Sequence, residues 1–267
     1  LLSLGFNAAF PITHVLNAFK IFLDAGLVRA QDLTMVKSLE QENDSSAPKA
    51  MTPKAEETRN AIFLAALDLF RERGFEAATM QEIAVRAGVA KSAAYYYFDS
   101  KDAIIAAYYE RVQTAQEDLC AAAFGKTMKL RERLGVAMHS KLDLAKDDRG
   151  LLGVVFRYTG EPEHPLSCLG PGTAAIRARA TQVFRDAIAE EKLPADLREL
   201  LPVALWSLQM GLIVMFLYDR SKGQKRTRAL ADGALDLTLK LLGLAKLPVL
   251  RPVRTRVLSL LKDAELV

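Results

Sequence analysis

TMQEIAVRAGVAKSAAYYYFDSK, Thr79 to Lys101, is the stretch from which the fold is read. It sets three consecutive tyrosines, Tyr95 to Tyr97, on one short helical run and closes that run with Asp99, Ser100 and Lys101. Thr79 and Glu82 form T-x-x-E, a capping box in which each side chain satisfies a free backbone N–H of the other, so a helix starts at Met80 and runs to Ala87. Gly88 ends it. A second short helix follows over Lys91 to Tyr97, and Asp99 or Ser100 caps a longer one that starts at Lys101 and reaches the 120s. Two short helices joined by about three residues containing glycine, after a longer first helix, are the signature of a helix-turn-helix unit.

That first helix lies just upstream. Thr52 offers an N-cap and Pro53 a first helical residue, apolar residues recur at Ile62, Ala65, Ala66, Leu69 and Phe70, and Gly74 closes it. Ile83, Ala84, Ala87, Val89, Ala94, Tyr97 and Phe98 fall where they can face this helix, so three short elements share one core. Further helices are expected near 128–144, 149–158, 172–191, 196–220 and 226–244, broken by GEPEHPLSCLGPG, Gly160 to Gly172. No alternating strand pattern competes. The fold class is therefore all-α.

Of the 267 residues, 51% are hydrophobic and 25% charged, the balance of a globular protein with a sizeable core. Cys120 and Cys168 have no CxxC spacing and no histidine cluster, so neither a disulfide framework nor a metal site is expected, and a cytoplasmic location fits. The net charge of +4 is unevenly placed: between Asp219 and Lys262 eleven Lys/Arg face three Asp, a net of +8. No run of about 18 uninterrupted apolar residues occurs, so stable membrane insertion is not expected. Residues 1–51 read as an extension and polar linker. Its apolar start is broken by Pro11, His14, Lys20 and Asp24 and lacks a basic lead. The leading reading is an over-extended upstream reading frame, with an amphipathic appendage as the alternative.

From Thr58 to Tyr109 the chain resembles the DNA-binding domain of the tetracycline-repressor (TetR) family of bacterial regulators. The resemblance is carried by Leu-Phe before the Gly-Phe turn, the Thr79 cap, IAVRAGV, YYYF and the trailing Lys101. It implies an N-terminal three-helix helix-turn-helix domain over 52–100 and a larger helical ligand-binding and dimerisation domain over 101–245, followed by a basic amphipathic tail over 246–267. It also implies double-stranded operator DNA as partner. Lys91, Ser92 and Ala93 would then face base edges, and Tyr95, Tyr96, Thr79 and Lys101 phosphates. The plainer alternatives are that the aromatics only pack and that Thr79 only caps. Ala93 stands where the family often has threonine, and Ala94 where a larger apolar residue is usual.

Leu201 to Asp219 is apolar around most of its circumference, as in a helix buried on several sides. With the 226–244 helix it can build either an intersubunit four-helix bundle, the family's dimer, or an intramolecular core. Met138, His139, Phe156, Tyr158, Phe184, Trp206 and Met210 are candidates for an effector pocket, although such stripes at helical spacing more often serve the core. The tail from Ala245 to Asp263 reads as packing its leucines on the domain and leaving its arginines in water, with lipid or DNA phosphate as other contacts.

No Ser/His/Asp set, glycine-rich phosphate loop or metal-ligand spacing is present in the sequence, so catalysis, cofactors and metals are not expected. The expectation is a homodimeric repressor of a palindromic operator, released by a small apolar effector. Two other readings stand beside it: a regulator of this fold controlled by a protein partner or by none, which needs a filled interior, and a helical lipid-binding or membrane-associated protein with a vestigial DNA-binding motif.

Overall fold

Each helix of the N-terminal module starts where a side chain supplies a missing hydrogen-bond acceptor. The Thr52 Oγ1 accepts from the Ala55 N–H at 3.3 Å and Pro53 opens α1, Pro53–Arg73. Gly74, at φ 84°, lets the chain leave it. The expected capping box is present: Glu82 N–H donates to Thr79 Oγ1 at 3.2 Å and Thr79 N–H to Glu82 Oε2 at 3.0 Å, starting α2, Met80–Arg86. The Thr79 hydroxyl, donating to Glu82 Oε2 at 2.9 Å, and the Thr79 N–H together hold the Glu82 carboxyl below its ordinary range. Gly88, at φ 68°, makes the turn into α3, Lys91–Tyr97, and Ser100, rather than Asp99, caps α4, Lys101–Ala123. Thr79→Ala removes one cap and is expected to cost about 1 kcal/mol, read as a fall of a few degrees in Tm; no change would show that the packed α1–α2 contact carries the helix alone.

This computed structural model describes residues 52–125 and 127–263; the extension read over 1–51 lies outside the described residues. The chain continues through α5 (Leu130–Leu144), α6 (Arg149–Arg157), α7 (Ala174–Ala187), α8 (Ala195–Tyr218), α9 (Lys225–Ala245) and α10 (Arg251–Asp263), with no strand among the described residues. Ile62, Phe63, Ile83, Ala84, Ala94 and Phe98 form the core of α1–α3, and Ala87, Val89 and Tyr97 pack against it. The same cluster continues into α4 and reaches Leu151 and Leu152 of α6 and Phe216 of α8, so one apolar core joins the N-terminal module to the larger helical body. A second cluster, with Leu134, Met138, Phe184, Leu205 and Leu235, ties α5, α7, α8 and α9 together.

α8 is long and apolar enough to cross a membrane, with a mean hydropathy of 2.0 over its best window. It is instead the central packing element, touching α5, α6, α7, α9 and α10, and buries Leu197, Leu201, Leu205, Trp206, Leu212 and Phe216. Its remaining stripe, Ala204, Leu208, Gly211, Met215 and Tyr218, is exposed or half-exposed. α9 likewise buries Ala231, Leu235 and Leu242 and exposes Leu230, Leu237, Leu241 and Leu244. An intramolecular core therefore accounts for one side of each helix only.

In the tail, Arg251 and Arg256 are exposed and Leu258 and Leu261 half-buried, as expected, but Arg254 departs from that pattern. Arg254 is buried, while Val253, Val257 and Leu260 are exposed. The Arg254 guanidinium donates to the carbonyls of Ala245, the last residue of α9, and Leu247, two residues beyond it, and its Nε to Asp196 Oδ2 at 2.8 Å. Two carbonyls at and just past the helix end and a carboxylate together offset the desolvation of one arginine, which the sequence pattern of α10 alone does not reveal.

Candidate nucleic-acid interface and interior cavity

α3 presents two opposite faces. Ala94 is fully buried and Phe98 nearly so, whereas Lys91, Ser92, Tyr95 and Tyr96 are exposed, Tyr96 at 82%. Ala93 is half-buried between them. The Lys91 ammonium lies 5.9 Å from the Tyr95 ring centroid, and Tyr97 meets Tyr96 edge-on at 5.1 Å. Tyr97 thus turns inward and stiffens the base of Tyr96. Thr79 is exposed at the start of α2.

Lys101 is half-buried at the start of α4. Its ammonium donates to the carbonyls of Phe75 at 2.7 Å and Glu76 at 3.2 Å, over the Phe75 ring, and burial lowers its pKa. It clamps the α1–α2 turn against α4, with one of three N–H donors left over. The module's other cations are largely engaged as well: Arg71 with Asp68 and Asp148, Arg73 with Glu82, and Arg86 with Glu72.

In the larger body, α4, α5, α6, α7, α8 and the 160–173 loop border a half-open cavity of about 100 Å³, lined among others by Tyr109, Gln113, Lys141, Phe156, Arg177, Trp206 and Met210. Of the seven pocket candidates, Phe156, Trp206 and Met210 line it. Met138 and Phe184 are sealed in the second core cluster, because facing helices leave no gap at their level. His139 reaches Asp232 of α9 at 3.0 Å, and Tyr158 stacks on His164 at 3.6 Å. The loop wall is tight: a Cβ on Gly170 or Gly172 would fall 2.5 Å from the Pro162 carbonyl or 2.6 Å from that of Pro165, so only glycine fits. Cys168 is buried there and its thiol pKa is pushed up by burial, which makes it a poor nucleophile. A wider cleft of about 350 Å³ lies between α4 and α7, but its Arg179 is already paired with Glu110 and Glu117.

The sequence reading missed Gln113, Lys141 and Arg177. Lys141 had a legible signal, since it interrupts the apolar run Leu134, Ala137, Met138, Leu142 on one face of α5. It is buried, its ammonium donates to Gln113 Oε1 at 2.7 Å, and burial pushes its pKa down to about 7.

Residues 62–108 match the profile of the bacterial regulatory proteins of the tetR family, and residues 133–257 that of the tetracyclin repressor-like C-terminal domain. The chain belongs to the TetR family. Among curated relatives of this TetR-family chain, the transcriptional activator FasR of Mycolicibacterium smegmatis is 33% identical over 110 residues, covering 40% of the chain and 50% of FasR. The transcriptional repressor BepR of Brucella suis is 41% identical over 70 residues, 26% of the chain and 34% of BepR. The chain thus spans half or less of the length of these relatives. Among solved structures, a TetR transcriptional regulator from Nitrosomonas europaea superposes with a TM-score of 0.55 at 21% identity, covering 67% of the chain and 96% of that structure. FadR from Bacillus halodurans, described as a fatty acid degradation regulator, gives 0.54 at 17%, covering 71% and 96%. These likenesses show the TetR fold.

Proposed function

We propose that the chain is a homodimeric transcriptional repressor that acts in the cytoplasm, binds a palindromic operator and is released by a small molecule held in the α4–α6–α8 cavity. The observation that carries this reading is the division of α3, whose Ala94 and Phe98 are locked in the core while Lys91, Ser92, Tyr95 and Tyr96 face outward. A helix held on one side and polar on the other suits insertion into a major groove. In this reading Lys91, Ser92 and Ala93 meet base edges, Tyr95, Tyr96 and Thr79 hold phosphates, and Lys101 positions α4 with one N–H directed at the backbone. The chain works by binding rather than catalysis.

Two connections link cavity and interface. α4 lends Tyr109, Val112 and Gln113 to the cavity and starts at the Lys101 clamp. α6 lends Leu152 and Phe156, its N-terminal Asp148 holds Arg71 of α1 at 2.6 and 3.1 Å, and Arg157 near its C-terminus pairs with Glu76. A ligand that prefers a different spacing of α4 and α6 shifts the two α3 helices of a dimer, and weakens DNA binding by its differential affinity for the two states. The cavity favours this over a regulator with a filled interior.

Selection of duplexes from a random pool, followed by footprinting, tests the reading. A palindrome with half-sites one helical turn or a multiple apart is the expected product; recovery of no sequence preference at low salt would sink it. The exposed stripes of α8 and α9 are assigned to the dimer. Leu237→Glu with Leu241→Glu is expected to halve the mass in sedimentation and abolish cooperative operator binding; an unchanged mass would move the interface elsewhere.

A further inference from the structure

Two cations face the cavity, and no carboxylate lines it. Lys141 is buried and makes one hydrogen bond among the described residues, to Gln113. An ammonium carries three N–H donors, so two are left without a protein acceptor. Glu117, the nearby acid, attracts the ammonium but makes no ion pair or hydrogen bond with it among the described residues. Its oxygens accept from Arg179 Nε at 2.9 Å and Nη2 at 2.7 Å and from Gln113 Nε2 at 3.0 Å. That last bond turns the Gln113 carbonyl toward Lys141. Arg177 on α7 donates through Nη1 to the carbonyls of Cys168 and Gly170 and to Thr173 Oγ1, all neutral acceptors. Neither Lys141 nor Arg177 has an ion-pair partner among the described residues.

A buried ammonium with no direct ion-pair partner is rare because desolvation is costly, and Arg177, lining the same cavity, is half-buried. Val112, Leu152, Phe156, Ile176, Met210 and Ile213 make the remaining wall apolar. The geometry points to an amphiphilic anion as the cavity's ligand: an aliphatic carboxylate whose head is held by Lys141 and Arg177 and whose chain lies along Phe156, Met210 and Ile213. A planar carboxylate offers two oxygens, one for the ammonium and one for the guanidinium fork. A volume of about 100 Å³ accommodates the head and a short length of chain, and a longer chain displaces Met210, the most adaptable wall residue. This inference sharpens the proposed effector from apolar to anionic and rests on the cavity being the effector site.

Trp206 is the chain's single tryptophan and lines the cavity, so its fluorescence reports occupancy. The experiment titrates the full chain with octanoate and with 1-octanol, in wild type, Lys141→Met and Arg177→Met, and repeats each titration on the complex with a selected duplex. The expected result is that octanoate binds wild type at least about 10-fold more tightly than octanol, and that Lys141→Met weakens octanoate about 10- to 100-fold while sparing octanol. Equal affinity for acid and alcohol overturns the anionic head and leaves the cavity as an apolar effector site. Octanoate binding that neither variant weakens overturns it too. No fluorescence response to either compound removes both the cavity reading and this inference. Selective octanoate binding through Lys141 that leaves the duplex bound upholds the anion site and counts against the regulatory role.

Discussion

Replacing Tyr95 and Tyr96 together by phenylalanine is expected to lower affinity for the proposed operator by about 4 kcal/mol, on the order of a thousandfold, without changing the salt dependence of binding. The reasoning begins with exposure. Both hydroxyls stand on the outer face of α3, and their rings are anchored by Lys91 and Tyr97. A phenol on a stiff two-torsion side chain donates one hydrogen bond to a phosphate at little entropic cost. Each bond contributes about 1 kcal/mol, and a dimer makes four of them. The groups are neutral, so no counterion is released or regained, and the slope of log K against log salt stays as it was. Lys91→Ala behaves differently, reducing that slope by about 2 for the dimer if each lysine meets a phosphate, and leaving it unchanged if each meets a base. Filter binding at several salt concentrations separates these cases. Full affinity in the double phenylalanine variant would return the tyrosines to a packing role.

The second large effect has the opposite sign. Lys141→Met is expected to stabilise the unliganded chain by roughly 2–4 kcal/mol near pH 6, because a buried lysine carries a desolvation cost that an apolar side chain of similar length avoids. The lost Gln113 hydrogen bond offsets part of the gain. The pH dependence follows from the depressed pKa. In the unfolded chain this lysine titrates near the ordinary value of about 10.4, and in the folded chain near about 7. Between those values the unfolded state binds the extra proton, so wild-type stability rises with pH across the window. Below about 7 both states are charged and the full cost is present. The advantage of the variant is therefore largest at pH 6, shrinks through pH 8 and is nearly gone by about pH 10. Urea unfolding at these three values measures it. A variant less stable at pH 6, or a gap independent of pH, would falsify the buried-charge account. A residue that lowers stability yet closes a cavity wall fits a site kept for binding rather than folding.

The N-terminal module was legible because its determinants are local. A cap and its N–H lie three residues apart, and a glycine sets its own φ; hence Thr52, Thr79, Gly74, Gly88 and Ser100 mark helix ends within a residue or two. The same short period assigns Ala94 and Phe98 inward and Tyr95 and Tyr96 outward. The cavity follows no such rule. Lys141 meets Gln113 from 28 residues away, Arg179 neutralises Glu117 from 62, and Arg71 reaches Asp148 across 77. Apolar periodicity names helix faces but not which face meets which, so Phe156, Trp206 and Met210 could be proposed for a pocket with no means of separating them from Met138 and Phe184. Arg254 shows the limit most plainly: on its own helix it belongs to a basic tail, and only the carbonyls of Ala245 and Leu247 and the carboxylate of Asp196 make it a buried clamp. The sequence by itself determined the helices, their ends and the outward face of α3, because capping and periodicity act over one or two turns. Tertiary structure alone decided where charge is buried and what it faces, because desolvation depends on every element packed around it.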